Sequence, residues 1–393
     1  AASSDYPLRD VYKRQIQDDL RVLLAGGALP PVGDGMALAD RSEQRYLASP
    51  QAEIDRAFWS GQIDALVARG GAAFEEFGAD LSRPRAPGGV ATPVLSERLD
   101  ARTTAALRHI AQTQRVGLHG LLLALLAAEL RRRFGRDDLV IGSGVTVRPP
   151  GSEATVGHFV NLLPIVLFGD DDDANNQPAP LAGRIAAAQA ALTGAIAHAA
   201  FPTGEILRDL RRRHPDARPA GRTALFDVAL TAAPGRASRD AASGFALISP
   251  NLPGERSVPA AGVDLSFSHE PVEDESDPGG AIDLTLSWNA DVWTQTGAGA
   301  LLAAFAAWAR WLAFDPRRAE LPSPALLPDE AARLAGYEYG PAAPRPLLPG
   351  HQLAETFADR EPQRPAVITR GGIISYGELD RQANHLAWRL LDA

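Results

Sequence analysis

The most informative stretch of this chain is Val156-Gly157-His158-Phe159-Val160-Asn161-Leu162-Leu163-Pro164. Its second half continues into an apolar run, so residues 159–168 are predicted to form a buried strand. Gly157 permits a close approach of the backbone just before that strand. Asn161 adds an amide side chain that both donates and accepts hydrogen bonds, either to brace a loop or to meet a ligand.

Strands and helices are mixed on both sides of this stretch. Residues 263–268 and 282–288 alternate apolar and polar side chains, which predicts a hairpin of two strands with one buried face. Residues 118–130 are apolar nearly all round, which predicts a helix buried in a core. We further predict helices at 16–24, 54–68, 181–196 and 301–312, a helix around 107–111 capped by Thr103 or Thr104, strands at 139–141 and 225–230, and irregular structure at 32–50 and 78–97. The predicted class is α/β with a mixed or antiparallel sheet.

Composition excludes several classes of protein. The chain has 393 residues, a formal net charge of −9 and no cysteine. The negative charge argues against a nucleic-acid binder, and the lack of cysteine against disulfide-stapled domains, thiolate catalysis and cysteine-ligated zinc. The apolar run 121–128 is too short to span a bilayer, and no signal peptide is recognisable. We therefore expect an acidic cytoplasmic protein without a membrane or nucleic-acid partner.

Lysine occurs only once, as Lys13, although the chain has 39 basic residues. The surrounding residues 10–15 have a back-translation that matches the end of a transposon adapter used in sequencing libraries. We interpret residues 1–15 as an adapter-derived scar and exclude them from the prediction of the fold.

Motifs of common catalytic sites are missing from the sequence. It contains no lysine-bearing phosphate loop, no HExxH and no GxSxG. The eight histidines are scattered along the chain, and we predict no metal site. Two arginine clusters, 131–133 and 211–213, are expected to be solvated helix faces. Docking of an acidic carrier domain or a phosphate is the alternative for them.

Several short blocks follow one another in a fixed order. They are 139–145 with Arg148-Pro149, 156–164, Phe201-Pro202 with 205–207, 222–228, 263–265 and 286–293. The series resembles the C-terminal lobe of the condensation domains of nonribosomal peptide synthetases, and the resemblance covers roughly residues 16–335. We assign residues 16–315 to a partial condensation domain, mainly its C-terminal lobe from about residue 97. The proline-rich residues 316–350 are predicted to be an interdomain linker.

Residues 351–393 resemble the beginning of an adenylation domain. Ser375, Tyr376, Glu378 and Leu379 match the first core motif of that family, whose role is structural. The resemblance implies that a condensation domain is followed by an adenylation domain in the same chain. ATP and Mg²⁺ are expected only in the remainder of the adenylation domain.

The resemblance implies a fold similar to that of chloramphenicol acetyltransferase, with two lobes and a tunnel between them. Donor and acceptor groups would enter this tunnel as phosphopantetheine thioesters on upstream and downstream carrier domains and be joined by an amide bond. The catalytic histidine of the family lies in an HHxxxDG motif, which we expect upstream of Ile16. We therefore expect a chain truncated in its N-terminal lobe, without a catalytic residue and inactive alone.

The resemblance also indicates candidates for the wall of the tunnel. They are Arg148, Gly157, Phe159, Asn161, Arg222 and Asp227. Structural alternatives stay open for several of them. Asn161 suits the bracing of a loop, Gly157 a close backbone approach, and Arg222 with Asp227 an ion pair that flanks a strand.

Two further functions are consistent with the sequence. One is a degenerate condensation-like domain that recruits a partner protein, and the other is a coenzyme-A-dependent acyltransferase of the same superfamily. An intact upstream HHxxxDG favours catalysis, and its loss from the gene favours recruitment. A reading frame without a complete adenylation domain favours the acyltransferase.

Overall fold

Two compact units make up the computed structural model of this chain, residues 1–327 and 328–393. The residues that the structure describes are 19–29, 35–70, 77–78, 80–81, 92–150, 152, 155, 159–169, 180–217, 224–232, 263–272, 280–339, 349–369 and 371–392. The scar predicted at residues 1–15 and the tunnel candidates Gly157 and Arg222 lie outside the described residues.

Helices and strands follow one another along the first unit. They are α1 (Gly35–Leu47), α2 (Pro50–Ala68), β1 (Val94–Leu99), α3 (Ala101–Thr113), α4 (Leu118–Phe134), β2 (Leu139–Thr146), β3 (Val160–Leu167), α5 (Leu181–Ala197), α6 (Thr203–Arg213), β4 (Val228–Ala232), β5 (Leu265–Pro271), β6 (Ile282–Trp288) and α7 (Gln295–Phe314). Residues 19–24 are helical, as predicted, and a 3-10 turn, Pro316–Glu320, follows α7.

The strands of the first unit form one six-stranded sheet in the order β1-β6-β5-β4-β2-β3. β2 and β5 run parallel to β4, whereas the other neighbouring strands are antiparallel. This mixed sheet, combined with helices, confirms the predicted α/β class. Asn161 lies on β3 at the sheet edge, opposite Val145 of β2.

One face of the sheet is buried under α4 and α7. Leu265 and Phe267 of β5 lie on this face, and the Phe267 ring packs edge-on against Phe305 of α7 with centroids 5.6 Å apart. α4 is buried from Gly120 to Leu130. The period of two in β5 and β6, their antiparallel pairing and the buried helix are therefore confirmed.

Helix α7 is long and apolar enough, over its 20 residues, to cross a membrane as judged by length and composition alone. Within the first unit, however, its side chains Leu301, Phe305, Trp308 and Leu312 are buried in the core. These contacts explain its apolar composition, because a core helix needs the same side chains as a membrane span.

Two predictions of irregular structure are wrong. Residues 35–47 form α1, and residues 94–99 form β1. α1 buries only Gly35, so its sequence lacks the apolar period by which an amphipathic helix is recognised. β1 lies at the sheet edge and buries only Leu99. Its sequence therefore shows no clear alternation of apolar and polar side chains.

Three element boundaries differ from the predictions. α2 begins at Pro50 because Ser49 caps it, accepting a hydrogen bond from the amide of Ala52. α3 is capped by Asp100 rather than by a threonine, because the Asp100 carboxylate accepts from the amide of Thr103. β4 begins at Val228, later than predicted.

The second unit contains α8 (Pro328–Tyr339), α9 (Gly350–Arg360), β7 (Pro365–Thr369), β8 (Gly372–Ser375) and α10 (Tyr376–Leu391). β7 and β8 pair antiparallel. Ser375 caps α10 by accepting a hydrogen bond from the amide of Glu378, and Tyr376 stacks on Phe357. Three residues of the first core motif thus have structural contacts.

Part of the predicted linker belongs to the first unit. Ala319 and Leu327 are buried there, and the amide of Leu181 at the start of α5 donates to the carbonyl of Leu321 at 2.9 Å. Residues 328–339 of the predicted linker form α8 of the second unit.

Candidate functional site

Asn161 lies where β2 and β3 meet the loop that precedes α6. Its Nδ2 donates hydrogen bonds to the carbonyls of Ala199 and Phe201, both at 2.8 Å. Its Oδ1 accepts from the Thr203 hydroxyl at 2.7 Å and from the Thr203 amide at 3.3 Å. The amide side chain therefore uses both donors and its acceptor oxygen on the protein itself, as the loop-bracing interpretation requires.

Arg148 closes the loop between β2 and β3. Its Nη1 donates to the carbonyls of Ser152 at 2.5 Å and Thr155 at 2.8 Å. Its guanidinium carbon lies 4.0 Å from the centroid of the buried Phe159 ring, a cation–π contact. Phe159 immediately precedes β3 and Asn161 is its second residue, so we call Arg148, Phe159 and Asn161 together the Asn161 corner.

Asp227 lies at the other end of the sheet. Its neighbour Val228 pairs with Ile141 of β2, whereas Asn161 pairs with Val145, four residues further along that strand. At about 3.3 Å per residue, the four-residue step from Ile141 to Val145 corresponds to roughly 13 Å along β2. Asp227 therefore lies away from Asn161 along the sheet, while Gly157 and Arg222 lie outside the described residues.

The Asp227 side chain is buried and holds neighbouring backbone in place. Its carboxylate accepts a hydrogen bond from the amide of Phe77 at 3.2 Å. Its carbonyl accepts from the amides of Asp264 and Leu265, and Asp264 in turn accepts from Asn289 Nδ2. These contacts fit a structural role, and a contact of Asp227 with substrate stays a prediction.

Two histidines that lie 150 residues apart in the chain are brought together by the fold. His119 Nε2 lies 2.9 Å from Ser143 Oγ, and His119 Nδ1 lies 2.9 Å from His269 Nε2. Burial lowers the pKa of His119 to about 4. Burial, together with the charge of a protonated His119, lowers the pKa of His269 to about 3. The pair is therefore neutral at pH 7.

A signal for one of these histidines was present in the sequence. The alternation of β5, continued from Phe267, puts His269 on the buried face of the sheet. His119 belongs to the buried helix α4, but its partner is 150 residues away and no spacing connects them. Ser143 and His269 are buried, whereas His119, which links them, is half-buried.

The first arginine cluster is only in part the solvated helix face that was predicted, because Arg133 is exposed but all three arginines make hydrogen bonds. Arg131 donates to the carbonyls of Asp137, Leu167 and Phe168, which ties the end of α4 to β3. Arg132 and Arg133 donate to Glu129, which is fully buried and also accepts from Trp308 Nε1.

The second cluster is partly engaged as well. Arg212 and Arg213 form ion pairs with Asp209, and Arg213 also pairs with Asp64 of α2. The Arg213–Asp64 pair joins α6 to α2, whereas the two pairs with Asp209 lie within α6.

A small cavity of about 120 Å³ lies between α2, β3 and α5. Its lining is mostly apolar, with Phe58, Trp59, Pro164 and Val166 on two sides and small residues of α5 on a third. Among the described residues, no group of three or more His, Cys, Asp or Glu side chains could hold a metal ion.

Asn161→Ala is expected to lower the free energy of unfolding of the first unit by about 1–3 kcal/mol, because several buried backbone groups lose their partner. Urea unfolding measures this change. Gln44→Ala is the matched control, since Gln44 is exposed and its side chain donates to Asp40 one turn away on the same helix. Equal losses for both variants would contradict the bracing role of Asn161.

Comparison with protein families identifies the first unit. The model of a family described as "Condensation domain" matches residues 40–295, which include β1 to β6 and the Asn161 corner. The match therefore covers more than half of the chain.

Known peptide synthetases contain similar sequences. The N-(5-amino-5-carboxypentanoyl)-L-cysteinyl-D-valine synthase of Amycolatopsis lactamdurans is 28% identical over 361 residues, which is 88% of this chain and 9% of that protein. The chondramide synthase cmdD of Chondromyces crocatus is 27% identical over 305 residues, 75% of this chain and 7% of that protein. This chain thus spans only a small part of the curated relatives it matches.

Solved structures share the fold. The X-domain from teicoplanin biosynthesis superposes with a TM-score of 0.57 at 22% identity, covering 80% of this chain and 67% of that one. The first condensation domain of the calcium-dependent antibiotic synthetase, solved with a substrate analogue, superposes with a TM-score of 0.56 at 22% identity. This match covers 79% of this chain and 62% of that one.

Proposed function

Because this chain belongs to the condensation-domain family of nonribosomal peptide synthetases, we propose that its parent protein forms amide bonds between carrier-bound groups. The amine of the acceptor attacks the carbonyl carbon of the donor thioester. The new C–N bond forms, the C–S bond breaks, the amine loses a proton and the donor pantetheine leaves as a thiol. The donor acyl group is thereby transferred to the acceptor carrier.

The observation that carries this proposal is the family match over residues 40–295, which includes the sheet and the Asn161 corner. The name of the Amycolatopsis relative describes a synthase of a peptide-like product, which supports the same reaction. Holding two tethered reactants in one geometry supplies a large rate gain, so a wall that positions the arms contributes to catalysis without an acid or base of its own.

The residues of this chain would act by positioning. The sequence contains no HHxxxDG motif, so no histidine here is assigned the role of the family's catalytic base. We propose that Arg148, Phe159 and Asn161 keep the β2–β3 end of the sheet rigid beside the tunnel. The chain alone is expected to make no amide bond.

We further propose that the second unit is the start of an adenylation domain in the same protein. The capping of α10 by Ser375 and the stacking of Tyr376 on Phe357 support the structural role of the first core motif. The remainder of such a domain would bind ATP and Mg²⁺, and the carrier domains would supply the phosphopantetheine arms.

Recruitment of a partner protein is the second candidate function. One structure with this fold is a complex of the X-domain and OxyB from teicoplanin biosynthesis, with a TM-score of 0.58 at 23% identity.

The two candidates are separated by supplying the chain with an N-terminal lobe that carries HHxxxDG, a donor-loaded carrier and an acceptor-loaded carrier. We expect the mass of the acceptor carrier to increase by that of the donor acyl group. A lobe whose motif histidines are replaced by alanine is the control. No increase with the intact lobe, in a mixture where the chain and lobe associate, would favour recruitment.

A further inference from the structure

Two imidazole rings meet between α4 and β5. His119 lies in the first turn of α4, and His269 lies near the end of β5. Their ring centroids are 5.2 Å apart, the ring planes are tilted by 34°, and His119 Nδ1 lies 2.9 Å from His269 Nε2. The two rings therefore point one nitrogen at each other instead of stacking face to face.

The two facing nitrogens share a single proton. Burial lowers the pKa of both rings, so each ring is neutral at pH 7 and has one N–H and one lone pair. One ring therefore donates its N–H to the lone pair of the other. A metal ion between the rings needs both lone pairs, so the shared proton has to move to the far nitrogen of the ring that carries it. No proton leaves the pair in this exchange.

Both far nitrogens can take up this proton. His119 Nε2 lies 2.9 Å from the buried Ser143 Oγ, which accepts a hydrogen bond when the proton is on Nε2. His269 Nδ1 makes no hydrogen bond to any residue that the structure describes. In metal-binding histidines a hydrogen-bonded partner of the far nitrogen fixes the tautomer and the orientation of the ring, and Ser143 has this position beside His119.

The spacing of the facing nitrogens selects a type of coordination. At metal–nitrogen distances of about 2.0–2.1 Å, two ligands at a right angle lie roughly 2.9 Å apart, whereas two tetrahedral ligands lie roughly 3.3 Å apart. The observed 2.9 Å matches the right angle. Right-angled nitrogen ligands are typical of Cu²⁺ and Ni²⁺, and of these two ions Cu²⁺ binds more tightly at a given site. The pair is thus spaced for Cu²⁺ without a movement of either ring.

Further ligands for an ion at this position come from solvent. Among the described residues, no third His, Cys, Asp or Glu completes a metal-binding group with the two histidines. His119 is half-buried, so water reaches one side of the pair. Water ligands on that side keep the ion partly hydrated, which reduces the cost of placing a dication next to the core.

We propose that His119 and His269 bind one Cu²⁺ ion through Nδ1 and Nε2, with water in the remaining coordination positions. Ser143 supports the site by holding the far nitrogen of His119. The site is separate from the proposed amide-bond formation, in which neither histidine is assigned a role. Local spacing does not indicate it, because 150 residues separate the two ligands in the chain.

The first test adds Cu²⁺ alone to the unaltered full chain. Cu²⁺ is paramagnetic and broadens the NMR signals of nearby protons, so we expect the ring protons of His119 and His269 to broaden before those of the exposed His109. The electron paramagnetic resonance spectrum of the first equivalent should show hyperfine coupling to two nitrogen atoms. Broadening of other histidines first, or coupling to fewer than two nitrogen atoms, would overturn the proposal.

Substitutions identify the ligands. We expect His119→Gln and His269→Gln each to weaken Cu²⁺ binding about tenfold or more in titration calorimetry, and Ser143→Ala to weaken it about tenfold. His109→Gln is the matched control and should bind like wild type, because His109 is exposed on α3. Equal affinities of the His119→Gln, His269→Gln and His109→Gln variants would contradict the site. The broadening in the unaltered chain tests the same pair without depending on the folding of any variant.

Discussion

Removing Arg132 and Arg133 together, as Arg132→Ala with Arg133→Ala, is expected to lower the free energy of unfolding by about 3–5 kcal/mol. Glu129 is fully buried, and these two guanidinium groups lie 2.7 and 2.9 Å from its carboxylate oxygens. Without them a carboxylate stays in the core with Trp308 Nε1 as its remaining donor among the residues that the structure describes. Chemical unfolding at pH 7 measures the loss.

The control removes the same charge from a helix surface. Arg208→Ala with Arg212→Ala removes two arginines of α6. Their side chains are 72% and 73% exposed, and each forms an ion pair with a carboxylate of the same helix. Exposed ion pairs contribute about 1 kcal/mol or less, so this variant should stay close to wild type. Equal losses in both double variants would show that Glu129 does not depend on its arginines.

Acidification is expected to destabilise the first unit through His119 and His269. Both have pKa values in the folded protein, about 4 and about 3, below the ordinary value of 6.5. Below pH 6.5 the unfolded state therefore binds more protons than the folded state. The contribution of the two histidines to the free energy of unfolding is fully present above pH 6.5 and decreases as the pH falls towards 4. The lowered pKa of His119 alone corresponds to about 3 kcal/mol in the free energy of unfolding.

The measurement is the free energy of unfolding at several pH values between 7 and 4. Replacing both residues, His119→Gln with His269→Gln, should remove more than the roughly 3 kcal/mol that corresponds to His119 alone, because the lowered pKa of His269 adds to the pH dependence. His109→Gln, at an exposed position of α3, should leave it unchanged. A double variant with the slope of wild type would mean that the histidine pair is not the acid-sensitive element.

Burial in the sheet was predictable wherever one face is consistently apolar. β5 and β6 obey a period of two, so their pairing and their buried face follow from the sequence. β1 has one fully buried residue and α1 has one, and neither element could be recognised by its pattern. β1 is determined by its pairing with β6 at the sheet edge, and α1 by its contacts with α2.

The site was less predictable because sequence motifs do not contain the register of the sheet. Asn161 and Asp227 both belong to recognisable blocks, yet the pairing of β2 with β3 and β4 separates them. The register also aligns Ser96 with Thr285, which are 189 residues apart in the chain. Neither relation can be inferred from local spacing.

Tandem mass spectrometry of the acceptor arm is the most direct test of the proposed amide-bond formation. The chain, a complementary N-terminal lobe and two loaded carriers are mixed, and the product on the acceptor pantetheine is released and fragmented. We predict a new amide between the donor carbonyl and the acceptor amine. Free donor acid, or donor on the acceptor thiol with no new amide, would contradict the account.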